Sequence, residues 1–279
     1  MNRRAFAALL MAFAGISCRP MINYQSALGP RFTAELPAQS RAWDTLAPMP
    51  ALRVVTLNLK YALRVERVIY ALQSYGPLRG ADVIMLQEMD APATQRIAAA
   101  MGMAYVYYPA GIHPSTHRDF GNAILSRWPI TADEKLMLPH LGRLRHGRRI
   151  ATAATLRVGS VPVRVYSLHL GTPSDITPTK RREQARVVLD DAAGYQFVIV
   201  AGDMNSHGIG KEFRAAGFLW PTEHDSFTTA FFNWDHVFLK GFGSPSQAGA
   251  GVARDTLEMS DHFPVWAIAT PAPSPVGVR

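Results

Sequence analysis

Polar residues that can bind metal ions or move protons recur at the ends of apolar runs in this sequence. The runs VVTLN, VIMLQE, VYSLH and VIVAGDMN end in an amide, a carboxylate or an imidazole, and SDH precedes the run FPVWAIA. Burying a charge is costly unless it is paired or bound to a metal, so core packing does not explain why these apolar runs end in polar or charged residues. Oxygen-rich ligands without a thiolate indicate a hard cation, Mg²⁺, with Mn²⁺ or Ca²⁺ as alternatives, rather than zinc. The residues concerned are Asn58, Glu88, His169, Asp203, Asn205, Asp235, Asp261 and His262.

The composition indicates an ordered and basic protein. The chain has 279 residues, of which 48% are hydrophobic, and its net charge is +8. Disordered chains combine low hydrophobicity with high charge, and a chain of nearly 300 residues can bury about three-quarters of its unfolded surface. A single cysteine excludes an internal disulfide framework and a cysteine-based zinc site. We therefore expect a globular protein.

The N-terminus has the pattern of an export signal. Two arginines precede an apolar stretch from Ala5 to Ile16, which is short for a bilayer span but typical of a signal peptide. Cys18 follows in a context that resembles a bacterial lipobox, although Gly15 stands where a leucine is usual. We expect residues 1–17 to be a signal peptide and Cys18 to be lipidated. The mature protein would be exported, either anchored to a membrane in the periplasm as a lipoprotein or secreted.

The domain that positions the polar residues spans 51–270. Prolines without periodicity predict a tether over 18–50, with some packing onto the domain, and a flexible tail over 271–279. Hairpins mixed with alternating strands and helices favour an α+β arrangement of two packed sheets with outer helices. Predicted strands cover 52–59, 82–88, 121–127, 150–158, 161–170, 197–201, 235–239 and 263–269, and predicted helices cover 63–74 and 177–193.

Seven motifs resemble, in order, those of the endonuclease/exonuclease/phosphatase family, which includes nucleases similar to DNase I. The resemblance runs from about Leu52 to Ala269 and implies a four-layer αββα sandwich with the active site at one edge of the paired sheets. It also implies the hydrolysis of phosphoester bonds. The motifs are TLNL at 56–59, LQE at 86–88, GNAILS at 121–126, SLHL at 167–170, GDMN at 202–205, WDHV at 234–237 and SDHFPV at 260–265.

The resemblance implies how metal and water are held. Phosphodiester hydrolysis must activate water and neutralise charge that develops on the phosphate oxygens. Glu88 would be the main metal ligand, helped by Asn58 and Asp261. Asp203 would orient or deprotonate the attacking water, while Asn205 would hold the water or a phosphate oxygen.

The resemblance also implies two imidazoles that face the phosphate. His262 would donate to the phosphate and be kept protonated by Asp235, because a neighbouring anion raises the pKa of an imidazole. His169 would be the second imidazole, with Asp119 as a candidate carboxylate partner. His236 is expected on the other face of its strand, in a structural role.

Substrate contacts are predicted from two further segments. The loop from His140 to Arg149 holds four arginines and no acid, so it is either a solvated loop or a loop that contacts phosphate. We expect Arg145 and Arg148 of this loop, together with Asn122, to bind the substrate. The segment Phe227–Phe232 is apolar and would favour a lipid substrate if it were exposed.

The sequence is compatible with three functions. The first is an exported nuclease, favoured by the basic charge, because a polyanion releases counterions when it binds. The second is a hydrolase of phospholipids, similar to sphingomyelinase, or of small phosphoesters, favoured by the expected lipid anchor. The third is an inactive binding module, and the retention of every motif residue argues against it. The protein is expected to act as a monomer.

Overall fold

A computed structural model describes residues 19–36, 47–243, 249–254 and 258–272. The predicted signal peptide over 1–17, Cys18 and residues 273–279 of the predicted tail lie outside these ranges. Within the described ranges, no helix combines the length and the apolar character needed to cross a membrane.

Two mixed β-sheets form the centre of the molecule. The described strands are β1 (Ile22–Asn23), β2 (Phe32–Ala34), β3 (Leu52–Asn58), β4 (Val83–Met89), β5 (Ala104–Ile112), β6 (Asp119–Ser126), β7 (Ile130–Met137), β8 (Ile150–Val158), β9 (Val161–His169), β10 (Phe197–Asp203), β11 (Asp235–Lys240), β12 (Ala250–Val252) and β13 (Val265–Ala269). The first sheet has the order β1-β5-β6-β4-β3-β13-β12, with β2 also paired to β5, and the second has the order β11-β10-β9-β8-β7. The pairs β3–β4 and β9–β10 are parallel, whereas their neighbours pair antiparallel.

Helices cover the outer face of each sheet. Val68 and Ile97, on the first two helices, pack on the first sheet, while Val188 and Phe213, on the last two, pack on the second. A third core, which includes Val54, fills the space between the sheets. The four-layer αββα sandwich implied by the sequence resemblance is confirmed. The described helices are α1 (Val65–Ser74), α2 (Ala91–Met101), α3 (Pro178–Ala192) and α4 (Gly210–Ala215).

Part of the predicted tether belongs to the first sheet. Strands β1 and β2 both pair antiparallel with β5. The backbone N–H of Met21 donates to the carbonyl of Arg145 at 2.8 Å, so the start of the described chain contacts the arginine loop. At the other end, Pro271 forms an isolated bridge with Phe242. Residues from both the predicted tether and the predicted tail therefore pair with strands or loops of the domain.

The strand order gathers the polar strand ends at one edge. Parallel strands β3 and β4 reach that edge at Asn58 and Glu88, and parallel strands β9 and β10 reach it at His169 and Asp203. Antiparallel β11 begins at the same level, because Asp235 pairs with Asp203.

Candidate active site

Glu88 and Asn58 form the part of the site that belongs to the first sheet. The pairing of β4 with β6 shifts register between Leu86 and Met89, and Glu88 has a φ of 58°, a left-handed conformation that is rare for a glutamate. Such a bulge re-aims a side chain at the end of a strand. The Glu88 carboxylate accepts hydrogen bonds from the Asn58 side-chain amide at 3.3 Å and from the Tyr61 backbone at 3.2 Å. Burial raises the pKa of Glu88.

Asp203 lies at the centre of the site. Its Oδ2 accepts from the Asn58 amide at 3.1 Å, so one amide joins Asp203 to Glu88. Its Oδ1 accepts from the backbone N–H of Asn205 at 2.8 Å, where the chain turns with a φ of 49°. Gly202 has a φ of 147° and a Cβ there would collide with the carbonyl of Leu168, so glycine permits β10 to approach β9.

The partly buried His262 and the fully buried Asp235 form an ion pair beside Asp203. His262 Nδ1 lies 2.7 Å from Asp235 Oδ2, and its Nε2 lies 3.9 Å from Asp203 Oδ2. Thr228 donates a further hydrogen bond to Asp235 Oδ2 at 2.7 Å. Burial lowers the pKa of His262, but Asp235 and Asp203 outweigh it and raise that pKa to about 10. His262 is therefore a cation over the physiological range.

The second imidazole, His169, is neutral. Its Nε2 lies 3.3 Å from Asp203 Oδ2, and Arg149 Nη1 lies 3.0 Å from both ring nitrogens. Burial, Arg149 and His262 together hold the pKa of His169 well below its usual value. A neutral ring that donates from Nε2 to Asp203 and accepts from Arg149 at Nδ1 satisfies both neighbours.

The predicted carboxylate partner of His169 is wrong. Asp119 accepts a hydrogen bond from the hydroxyl of Tyr24 at 2.8 Å, and it is Asp203 that lies beside His169. Asp119 is the first residue of β6, which belongs to the first sheet, whereas His169 ends a strand of the second.

Aromatic rings and two arginines border the site next to Glu88. The ring of His113 contacts Tyr61 and Phe120 at centroid distances of 4.5 and 5.4 Å. Arg145 Nη1 lies 2.8 Å from His113 Nε2, and Arg149 lies over the Phe120 ring. Burial and the two arginines lower the pKa of His113 to about 4, so the ring is neutral and accepts from Arg145. Neither guanidinium forms an ion pair with a carboxylate of the described residues.

Two residues predicted to bind substrate are engaged in structural contacts. The Asn122 amide donates across the sandwich to the carbonyls of Ile150 at 2.9 Å and Ser167 at 3.3 Å. The guanidinium of Arg148 donates to the carbonyl of Leu138 at 3.4 Å, away from the catalytic groups. Its neighbour Arg149 reaches the site instead, because consecutive residues next to a strand project to opposite sides.

The other predicted residues occupy distinct places. Asp261 is half-exposed and forms an ion pair with Lys60 at 3.0 Å. The Asn205 side-chain amide donates to the carbonyl of Leu170 at 3.0 Å. His236 is fully buried beside Trp220, which donates to its Nδ1 at 3.3 Å, and burial lowers its pKa to about 3. His236 therefore has the structural position that strand alternation predicts.

Two groups of side chains could hold a metal ion. Ligand atoms of Asp203, Asp235 and His262 lie within 4.8 Å of one another. However, Asp235 and His262 bind each other, and a metal needs a deprotonated imidazole, so this group is better suited to handling protons. Glu88 is a partly buried carboxylate that forms no ion pair with the described residues, and a divalent cation would add positive charge beside it. The oxygens of Glu88 fit a hard cation better than the Asp–Asp–His group does.

Comparison with known proteins identifies the family. Residues 55–262 match the model of the endonuclease/exonuclease/phosphatase family. The chain belongs to this family, whose members are hydrolases that act on phosphoester bonds. No curated protein matches the chain by sequence.

Solved structures share the fold at low sequence identity. The human Nocturnin catalytic domain with bound sulfate has 17% identity and a TM-score of 0.61, covering 85% of this chain and 96% of that domain. The D. rerio TDP2 complex with single-strand DNA product has 17% identity and a TM-score of 0.59, and the match covers 78% of this chain and 98% of the TDP2 chain. Sphingomyelinase C from Streptomyces griseocarneus has 20% identity and a TM-score of 0.57, and the match covers 79% of this chain and 100% of the sphingomyelinase chain.

Proposed function

We propose that this protein is an exported, Mg²⁺-dependent phosphodiester hydrolase that cleaves nucleic acid. The observation that carries the proposal is the joining of three functional groups in one cluster around the buried Asp203. The Asn58 amide bridges Glu88 and Asp203, and the cationic His262 lies against Asp203. A metal-binding carboxylate, a base and a fixed cation are what hydrolysis of a phosphodiester requires.

Asp203 is the group that activates water in this proposal. Burial raises its pKa to about 7, while His262 and the hydrogen bonds from Asn205 and Asn58 oppose that rise. A carboxylate with this pKa is ionised in a large fraction of molecules at neutral pH and is basic enough to accept a proton from water. The water attacks phosphorus and its proton passes to Asp203, while the bond to the leaving oxygen breaks and the departing alkoxide takes a proton from bulk water.

His262 stabilises the charge that develops on the phosphate. Its Nε2–H is available to a phosphoryl oxygen, because Nδ1 is bound to Asp235. The loss of one such oriented donor typically slows an enzyme about 10²–10³-fold. Arg149 adds a second fixed positive charge on the side of His169.

Glu88 would hold the metal ion together with Asn58, as the fit of its unpaired carboxylate indicates. The predicted third ligand, Asp261, would have to leave Lys60 to join them. A bound Mg²⁺ supplies Lewis acidity and positive charge to the phosphate at this position.

Nucleic acid is the proposed substrate because the border of the site is basic. Arg145 and Arg149 are both free of carboxylate partners among the described residues, and guanidinium groups bind phosphate well. A structure of similar fold, D. rerio TDP2, holds a single-strand DNA product, which supports this choice.

A phospholipid is the second candidate, because several apolar side chains near the site are exposed. Phe227, Phe231 and Phe232 are exposed by 56%, 75% and 49%. A lipid anchor at Cys18 would hold the enzyme at a membrane, and a sphingomyelinase shares the fold.

A substrate panel tests the proposal. The full chain is assayed on plasmid DNA, RNA, sphingomyelin and inositol phosphates, each with Mg²⁺ and with EDTA. We expect Mg²⁺-dependent cleavage of DNA or RNA. Efficient cleavage of sphingomyelin with inert nucleic acids would replace the proposal by the phospholipid alternative, and activity in EDTA would contradict the metal dependence.

A further inference from the structure

A concave pocket of about 490 Å³ opens beside the catalytic ion pair and takes no part in the chemistry described above. Its wall is formed largely by the segment that leads into β11 and ends one residue before Asp235. The lining residues are His207, Glu223, Asp225, Ser226, Phe227, Phe231, Phe232, Asn233, Trp234 and Arg254, and we call this space the aromatic pocket.

Flat rings make up much of the pocket wall. Phe232 and Trp234 stack in parallel, with centroids 4.4 Å apart and an interplanar angle of 2°. Phe231 is 75% exposed, and Phe227 is also exposed. Exposed rings beside a site offer faces on which another planar group can stack.

Two polar atoms among the lining residues lack partners. Asp225 Oδ2 and Asn233 Oδ1 are buried and accept no hydrogen bond from the described residues. Buried acceptors without partners are costly, and because these two oxygens are enclosed by the protein, a small side-chain movement would be needed for the N–H donors of a ligand to satisfy them. A lipid acyl chain carries no such donor.

The pocket is fixed to the catalytic groups. Thr228 donates to Asp235, and its carbonyl accepts from the backbone of Phe263, the residue after His262. Arg254 donates to the carbonyl of Phe227 and lies over the Phe263 ring. A group bound in the pocket would therefore lie directly beside a phosphate held at His262.

We propose that the aromatic pocket binds the nucleobase next to the scissile phosphate. A nucleobase combines a flat face for Phe231 and Phe232 with N–H donors for Asp225 and Asn233. The pocket is concave and carries buried acceptors, whereas a bilayer would reward a convex apolar tip. The proposal rests on the proposed cleavage of nucleic acid.

Binding in EDTA, where the proposed Mg²⁺-dependent cleavage is suppressed, tests the proposal directly. The full chain is titrated with a trinucleotide and with the same trinucleotide in which stable abasic residues replace the bases, using tryptophan fluorescence. Stacking of one base contributes about 1–3 kcal/mol, so we expect the base-containing ligand to bind about 5–150-fold more tightly. A double variant, Phe231→Leu with Phe232→Leu, retains apolar area but loses the rings, and should abolish this difference.

The control is Tyr70→Leu, since Tyr70 is an exposed aromatic residue on α1, which covers the outer face of the first sheet. This variant should retain the preference for the base-containing ligand. Equal binding of both trinucleotides to wild type, or an unchanged preference in the double variant, would overturn the pocket assignment even if nucleic acid is cleaved. If the double variant instead loses only its binding to phosphatidylcholine vesicles, the pocket serves a membrane.

Base-dependent binding without cleavage in Mg²⁺ would separate the two proposals. That result would support the pocket and contradict the proposed function. Cleavage in Mg²⁺ without base-dependent binding would support the proposed function and contradict the pocket assignment.

Discussion

His262 lies between two carboxylates, and its charge depends mainly on Asp235. Asp235 is fully buried, its Oδ2 lies 2.7 Å from His262 Nδ1, and the pKa of His262 is raised to about 10. The protonated form donates to phosphate, so activity should persist as pH rises until it approaches that value. Replacing Asp235 by Asn removes the nearest anion, and burial then lowers the pKa of the imidazole.

We therefore expect Asp235→Asn to reduce kcat and to move the alkaline limb of the pH profile to lower pH. The measurement is kcat/KM on a soluble phosphodiester between pH 5 and pH 9. Asp119→Asn is the matched control, because Asp119 bonds Tyr24 rather than an imidazole. A wild-type profile in Asp235→Asn would mean that the pair does not control the charge of His262.

The sequence predicts the groups that meet in the site but not all of their partners. Motif residues such as Glu88 and His262 were recognisable because their types and order are specific. Thr228, which bonds Asp235, has no signal in the sequence, because a threonine in an irregular segment is common. The pairing of His169 with Asp203 depends on the register of two parallel strands, which local sequence does not reveal.

The arginine loop between β7 and β8 allows a prediction at the scale of an element. Arg149 lies against His169, Arg145 against His113, and Arg148 donates to the carbonyl of Leu138, while Arg143 is exposed. A hydrogen bond to a charged group contributes about 1.5–3 kcal/mol, so Arg149→Met should lower kcat/KM on DNA by about tenfold or more.

Salt dependence separates the arginines further. Arg145→Met should weaken DNA binding and flatten the slope of log K against log salt by about 0.7–0.9, the value for one phosphate contact. Arg143→Met is the control on the same loop and should leave cleavage within twofold of wild type, which is roughly the scatter expected for an exposed side chain. Equal losses in the Arg143 and Arg149 variants would show that the loop acts only through its net charge.

Several elements lie where their sequence pattern predicts them, but the predicted set lacks the buried strand β5 and the helix α2 as well as the polar edge strand β7. The hairpin of β8 and β9 and the helix after Thr177 lie where alternation and the capping residue place them. Strand β7 was missed because it is a polar edge strand with the sequence ITADEKLM. Strands β1 and β2 were assigned to a tether, because their short pairing with β5 is a tertiary contact.

At the scale of the whole molecule, attachment to a membrane is the open prediction. Met21 donates to the arginine loop, and the predicted lipidation site, Cys18, lies outside the described residues. Cys18→Ser removes the thiol that carries the lipid. We expect the variant to leave the membrane fraction as a soluble protein or to accumulate as an unprocessed precursor, measured by fractionation and mass of the N-terminus. A wild-type protein that retains Met1 in a cytoplasmic fraction would contradict export.

The order of the motifs predicts the four-layer architecture, but it does not predict the substrate. The fold brings strand ends from both sheets to one edge, which explains how residues up to 204 positions apart in sequence, Asn58 and His262, share a site. The shape beside that edge is formed by loops such as 226–234, whose conformation depends on contacts that no periodicity encodes.

Cleavage of DNA by Glu88→Gln tests the metal dependence of this enzyme directly. The amide is isosteric and neutral, so the fold should be retained while the affinity for Mg²⁺ falls sharply. We expect wild type to cleave plasmid DNA with Mg²⁺ but not with EDTA, and Glu88→Gln to lose most activity at the same thermal unfolding midpoint. Full activity of Glu88→Gln, or wild-type cleavage that EDTA leaves unchanged, would contradict the metal-dependent mechanism.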